Sequence, residues 1–240
     1  MRGFLFHKGI YHYMNIVYSQ EYPHFIELNN FLKSDLCPKA EYPIHVKHSM
    51  SNEKHILFMT EQLTDEETSD SYLYYNSLSQ NHIYEIWTFS TYNIELLNRH
   101  NIFKTKYIKM EAWDEYKEKL ISYNIDNIYD YDVCVVGWMS RRRENIVNQI
   151  SSKGINVKVI GYHNGLFGEE RDKIIRKSKI LLNIHYSDKM FCFEQIRCFP
   201  FMSVGHTVVS ETSHDVIDSV IFADYDELTN KVIEVLKNFD

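Results

Sequence analysis

Glycine and proline are scarce in this chain, at eight and four among 240 residues. So few glycines leave no GxGxxG fingerprint and no GxxxxGK[ST] loop, which disfavours a nicotinamide-type dinucleotide enzyme and a P-loop ATPase. Cysteine is equally sparse. Cys37, Cys134, Cys192 and Cys198 form no CxxC pair and no zinc-type spacing with histidine, so all four are expected to be reduced thiols. The twelve histidines include no HExxH, and a metal site is not expected. No apolar run approaches the ~20 residues that span a bilayer. The opening MRGFLFHKGIYHYMNIVYSQ is broken by Arg2, His7, Lys8 and His12 and lacks a secretory cleavage pattern. Positive charge is also in deficit: 26 Lys and Arg against 33 Asp and Glu, a formal net charge of −7. That balance argues against a general nucleic-acid binder. The expectation is a cytoplasmic protein (host cytoplasm or virion, should the source be viral) with no transmembrane segment. Eighteen tyrosines, with abundant Asn, Ile and Lys, point to an AT-rich coding genome.

What the chain does contain is a strand–helix alternation in its second half. YDVCVVG (131–137), NVKVIG (156–161), KILLNIH (179–185), HTVVSE (206–211) and SVIFADY (219–225) read as strands. The first is apolar at successive positions, as in a strand covered on both faces. Helices are expected from Arg143 to Lys153 with a stop at Gly154, over GEERDKIIRKS, over FCFEQIRCFPFMSVG with a kink or end near Pro200, and over DELTNKVIEVLKNF. This pattern predicts an α/β fold with a parallel sheet flanked by helices. In the first half, 11–19, 55–60 and 83–90 read as strands; helices are expected after Glu21, over 66–79 and over 92–99. The polar segment 112–130 reads as a helix plus linker, placing a domain boundary near residue 125. The resulting domains are 1–125 and 126–240.

In open parallel sheets, ligands bind beyond the carboxyl ends of the strands. There, GWMSRRR places Gly137 and the N-cap candidate Ser140 before three arginines, Arg141, Arg142 and Arg143. Cations at a helix start oppose the macrodipole by about 0.3–1 kcal/mol each. An anion between guanidinium forks and free backbone N–H groups reverses that sign, and a diphosphate suits such a receptor. The loop YHNGLFG, with Tyr162, Phe167 and Gly168, can pass close to a planar base. His185 and Tyr186 end the third strand at the ligand edge. Glu194 suits two ribose hydroxyls, Arg197 lies three residues on and could pair with it, and Glu211 ends the fourth strand facing the cleft. The DYD at 130–132 leads into a strand and so does not form a metal-binding DxD loop.

VVGWMSRRRENIV, VKVIGYHNGLFGEERDKIIRKSKILLNIHY and FEQIRCFPFMSVGHTVVSE together resemble the donor-binding C-terminal domain of GT-B glycosyltransferases. They are particularly similar to the glycosyltransferase-like proteins related to the CgeB spore-coat family, found also in large DNA viruses. The resemblance covers about residues 131–240 best; HILFMTEQLT and IYEIWTFSTYNIELL extend it weakly into the first half. It implies two Rossmann-like domains, the N-terminal one abbreviated. It implies a nucleotide-diphosphate sugar as donor, no cofactor, and an acceptor (glycan, protein or small molecule) approached by the N-terminal half. By the resemblance, Arg141 to Arg143 contact the diphosphate, with Arg142 and Arg143 stabilising the leaving group without a metal. The 162–168 loop lines the base and Glu194 holds the ribose. Glu194 matches the second glutamate of an E-x7-E motif; the first is replaced by Tyr186. The catalytic base stays unassigned among His12, His24 and Glu61. Two other readings remain open: a non-catalytic GT-B remnant that binds nucleotide or glycan, and a sugar-nucleotide epimerase.

Overall fold

The computed structural model describes residues 11–13, 16–18, 40–46, 52–63, 82–99, 103–110, 114–161 and 166–239. The chain divides between Met110 and Glu111 into two compact units, not near residue 125. The helix expected in the linker region is the reason. It belongs to the second unit, where Tyr116 and Leu120 enter the core and the Tyr116 hydroxyl donates to Asp172 at 2.8 Å.

In the first unit, β1 (Tyr11–Tyr13) and β2 (Ile16–Tyr18) pair antiparallel. Strands β3 (Ile44–Val46), β4 (His55–Met59), β5 (Ile83–Thr88) and β6 (Thr105–Tyr107) then add in parallel, and the sheet order follows the chain order. The single strand expected over 11–19 is therefore two strands of a hairpin. β3 and β6, three residues each, are too short to show a periodicity and escaped the sequence reading. Helix α1 (Thr91–Arg99) follows β5. Its buried Asn93 donates to the Glu61 carbonyl at 2.9 Å and accepts from the Leu63 amide at 2.8 Å, tying the exit of β4 to the start of the helix. The helices expected after Glu21 and over 66–79, with His24 and Cys37, lie outside the described residues.

The second unit contains α2 (Asp114–Ser122), β7 (Tyr131–Val136), α3 (Arg141–Ser151), β8 (Val157–Ile160), α4 (Gly168–Arg176), β9 (Ser178–Asn183), α5 (Gln195–Met202), β10 (Thr207–Glu211), β11 (Ile221–Ala223) and α6 (Leu228–Lys237). All five strands are parallel, in the order β11-β10-β9-β7-β8. The unit is Rossmann-like in the general sense, a parallel sheet with helices on both faces. Alternation along the strands explains their continuous apolar sequence. Val133, Val135, Ile180, Leu182 and Val209 enter one core with Ile146 and Ile150 of α3 and Leu228 and Val232 of α6. Cys134, Leu181 and Val208 enter the opposite core with α2, α4 and α5. Each fully buried Leu, Ile or Val of this kind contributes about 1.5–3 kcal/mol. Burial also pushes the Cys134 and Cys198 thiols up to about 12, as inert apolar side chains. Cys192 is buried as well and forms no disulfide among the described residues.

Several boundaries differ from expectation: α3 begins at Arg141 and ends at Ser151, not Arg143 to Lys153, and β9 ends at Asn183, not His185. Helix α5 begins at Gln195, leaving Glu194 as its N-cap instead of a first-turn residue, and it runs past Pro200 to Met202. Strand β11 is confined to Ile221–Ala223.

His206, just before β10, is buried beside Arg176, whose Nη1 lies 3.4 Å from Nδ1. The guanidinium can only donate, so Nδ1 accepts and the proton sits on Nε2. Burial, and then Arg176, lower the imidazole to about 3. Between the ordinary histidine value of ~6.5 and 3, the unfolded chain binds a proton that the folded chain refuses, so stability falls as pH falls. His185 is lowered chiefly by burial and acts in the same direction. Urea denaturation from pH 7 to pH 4 is expected to show this loss, with His206 contributing up to about 1.4 kcal/mol per pH unit. In His206→Gln the slope should be reduced; an unchanged slope would place the acid sensitivity elsewhere.

Candidate functional site

The strand order reverses between β7 and β9: from β7 the chain goes first to β8 on one side, then to β9 on the other. Such a switch point opens a crevice at the carboxyl ends of the two central strands. The first unit, whose described strands follow in chain order, has no such reversal.

Gly137 leaves β7 with φ +125°, a conformation that suits glycine. A Cβ here would lie 2.9 Å from Arg197 Nη2 and 3.0 Å from Arg143 Nη1. Two guanidinium groups thus pack where any other residue would carry its side chain. Ser140 caps α3 with an extended backbone, its hydroxyl 3.4 Å from the Arg143 amide. The three arginines fall in the first turn as expected, but their environments differ sharply.

Arg143 is 2% exposed. Its Nε donates to the Ile184 carbonyl at 2.7 Å, Nη1 to the Trp138 carbonyl at 2.7 Å and Nη2 to Glu194 at 3.2 Å. Burial lowers its pKa to about 10, Arg197 adds to the fall and Glu194 opposes it, so the group stays charged at neutral pH. Arg142 is half-buried and grips Glu211 with both Nη atoms, while its Cζ stacks 3.7 Å from the centre of the Tyr225 ring. The Tyr225 hydroxyl returns a hydrogen bond to the Arg142 carbonyl at 2.9 Å. Arg141 is exposed and makes no ion pair among the described residues.

The partners come from the ends of β9 and β10 and the start of α5. Glu194 also receives Arg197 Nη2 at 2.7 Å, and Arg197 Nη1 donates to Asn183 at 3.2 Å. Burial raises the Glu194 carboxyl, but Arg197 and Arg143 outweigh it and the net pKa is lowered. Glu211 accepts from the His185 amide at 3.0 Å. The His185 ring is buried, with Nε2 3.1 Å from the Thr212 carbonyl and 3.3 Å from the Ser213 hydroxyl. A carbonyl cannot donate, so Nε2 carries the proton and the neutral ring is held by burial below the ordinary histidine value. Three guanidinium groups therefore meet two carboxylates in one connected network, and exposed Arg141 adds a fourth positive charge at its edge.

Of the residues singled out in the sequence, Gly137, Ser140, Arg141 to Arg143, His185, Glu194, Arg197 and Glu211 gather at this switch point. Tyr186 is 44% exposed there, its ring centre 5.8 Å from Arg143 Cζ. Phe167 and Gly168 open α4 beyond β8, one strand over. Tyr162 lies outside the described residues. His185 and Glu211 are buried within the network, not open at the edge. Glu61 and His12 belong to the first unit. Asn183, Tyr225 and Trp138 were missed. Asn183 carried a signal, a polar residue inside the apolar LLNIH; Trp138 carried another, a large aromatic directly after a strand end. Tyr225 had no local signal.

No protein-family model and no solved structure matches the chain. It is similar to proteins of Acanthamoeba polyphaga mimivirus. Uncharacterized protein L138 is 32% identical over 196 residues, 76% of this chain and 20% of that protein. Uncharacterized protein L140 is 34% identical over 161 residues, 62% of this chain and 50% of that protein. Uncharacterized protein R358 is 31% identical over 134 residues, 52% and 45% respectively. The chain spans half or less of the length of these relatives. Among the described residues, no helix is long and apolar enough to cross a membrane, and no group of three His, Cys, Asp or Glu is arranged to hold a metal ion.

The network makes two substitutions diagnostic. Gly137→Ala, meeting two guanidinium groups at positive φ, is expected to lose about 1–3 kcal/mol of stability in urea melts. Arg143→Ala strips partners from two carbonyls and a carboxylate and should cost on the order of 3 kcal/mol, whereas Arg141→Ala should stay within about 0.5 kcal/mol of the parent.

Proposed function

We propose that the second unit binds a nucleotide-diphosphate sugar and that the chain is a GT-B-type glycosyltransferase. The observation that carries this reading is the excess of guanidinium over carboxylate at the one strand-order reversal among the described strands, beside a helix start. Free N–H groups of that first turn and the exposed Arg141 offer an anion both hydrogen bonds and unpaired positive charge. Arg142 keeps N–H groups beyond its contacts to Glu211 and His185.

In the chemical step, the bond from the sugar's anomeric carbon to the terminal phosphate oxygen breaks and its electron pair stays on the diphosphate. The acceptor oxygen bonds to the anomeric carbon, and its proton passes to the departing diphosphate or to solvent water. Negative charge grows on the departing diphosphate, where preorganised donors stabilise it without reorganising. Arg141 and Arg142 are the side chains for that task. Arg143, 2% exposed and bound to the Ile184 and Trp138 carbonyls and to Glu194, serves by holding the loop and the helix start in place. The burial of Arg143 favours a second reading, a module that holds nucleotide or glycan without turnover.

A ligand that binds only the folded chain raises its melting temperature. Thermal shifts are expected with UDP-, GDP- or TDP-sugars, weakened by Arg141→Ala and Arg142→Ala, with release of the nucleoside diphosphate over hours. Loss of one transition-state donor should slow release by about 100- to 1,000-fold. No shift with any nucleotide sugar at millimolar concentration would refute donor binding; a shift without release, whatever acceptor is supplied, would leave the binding module.

A further inference from the structure

Two large aromatic side chains stand in solvent at the rim of the arginine network. Trp138 is 49% exposed and Tyr186 is 44% exposed. They leave β7 and β9, neighbouring parallel strands whose register pairs Val135 with Leu182. Strands so paired run about 4.8 Å apart, which sets their exits side by side. The backbone that carries each ring is held in place. The Trp138 carbonyl is pinned by Arg143 Nη1 at 2.7 Å, and the turn that carries it starts at Gly137, whose missing Cβ is replaced by the same guanidinium. Tyr186 follows His185, whose amide is bound by Glu211, and the Tyr186 ring lies 5.8 Å from Arg143 Cζ. Leaving two aromatic side chains about half exposed beside a cationic centre forgoes part of the burial that such side chains usually gain.

We propose that Trp138 and Tyr186 form a stacking subsite for the ring that a diphosphate ligand carries, with its anionic part held at Arg141 and the start of α3. The inference rests on the nucleotide-sugar reading and adds to it a recognition element. The chemistry is that of a flat ring face against an aromatic face; a nucleobase and a sugar ring can both supply it. An alanine at a base-stacking aromatic costs roughly 5- to 150-fold in affinity.

The test is calorimetric titration of the full chain with inorganic pyrophosphate, UDP, GDP and UDP-glucose, using the parent, Trp138→Ala, Trp138→Phe, Tyr186→Ala and Tyr186→Phe. Pyrophosphate affinity is expected to be unchanged by all four substitutions. Ring-bearing ligands should lose roughly tenfold with either alanine and recover with phenylalanine. A loss already seen with UDP or GDP assigns the ring to the nucleobase; a loss confined to UDP-glucose assigns it to the sugar. Equal losses for pyrophosphate would mean that the substitutions disturb the loop, and unchanged affinity for every ligand would mean that the rings do not touch it; either result overturns the proposal. A parent chain that binds pyrophosphate but gains nothing from UDP, GDP or UDP-glucose overturns the stacking subsite while leaving an anion site. A parent that binds none of the four refutes the underlying function instead.

Discussion

The second unit is organised around one buried cation. A guanidinium at 2% exposure is tolerable only when it is paired and hydrogen-bonded, and Arg143 donates to carbonyls from two strand exits and to a carboxylate at a helix start. Those three contacts fix β7, β9 and α5 relative to one another at the point where the strand order reverses. Gly137 is the geometric condition for this: the space of its absent side chain holds Arg143 on one flank and Arg197 on the other. The remaining polar groups of the site extend from that core, through Glu194 to Arg197 and Asn183, and through Arg142 to Glu211, His185 and Tyr225.

The network changes the meaning of an arginine triplet. Three consecutive arginines at a helix start suggest a uniform basic patch, yet their side chains occupy three different settings: solvent, a carboxylate grip over an aromatic ring, and the interior. Glu194 and Glu211 cancel half of the charge of Arg141, Arg142, Arg143 and Arg197, and the other half remains as a surplus. An anion arriving there is read by that surplus and by the backbone of the first helical turn, not by the gross number of arginines.

Much of the second unit was legible in the sequence because its strands are covered on both faces. Residues such as Val133 and Cys134 enter opposite cores, and the result is an unbroken apolar run that announces a central parallel strand. The location of the arginines after such a run, with Ser140 to cap the helix, was equally readable. Their partners were not. Glu194 and Glu211 are 51 and 69 residues away along the chain, and only the topology brings them beside Arg143 and Arg142. The beginning of α5 was misjudged for a related reason: FCF is apolar enough to extend a helix, but Phe193 and Cys192 are buried ahead of it and Glu194 takes the cap position. In the first unit, three-residue strands such as β3 and β6 carry too few residues for any periodic signal.

The packing of two guanidinium groups against a bare α-carbon also restricts how the chain can drift under mutation. A methyl group at 137 requires both guanidinium groups to shift, and a shifted Arg143 holds the Trp138 and Ile184 carbonyls less well. Shortening either arginine alone, with glycine retained, opens a polar void and leaves Glu194 with one guanidinium partner instead of two. Positions 137, 143, 194 and 197 therefore form a linked set, in which the tolerance of each depends on what occupies the others.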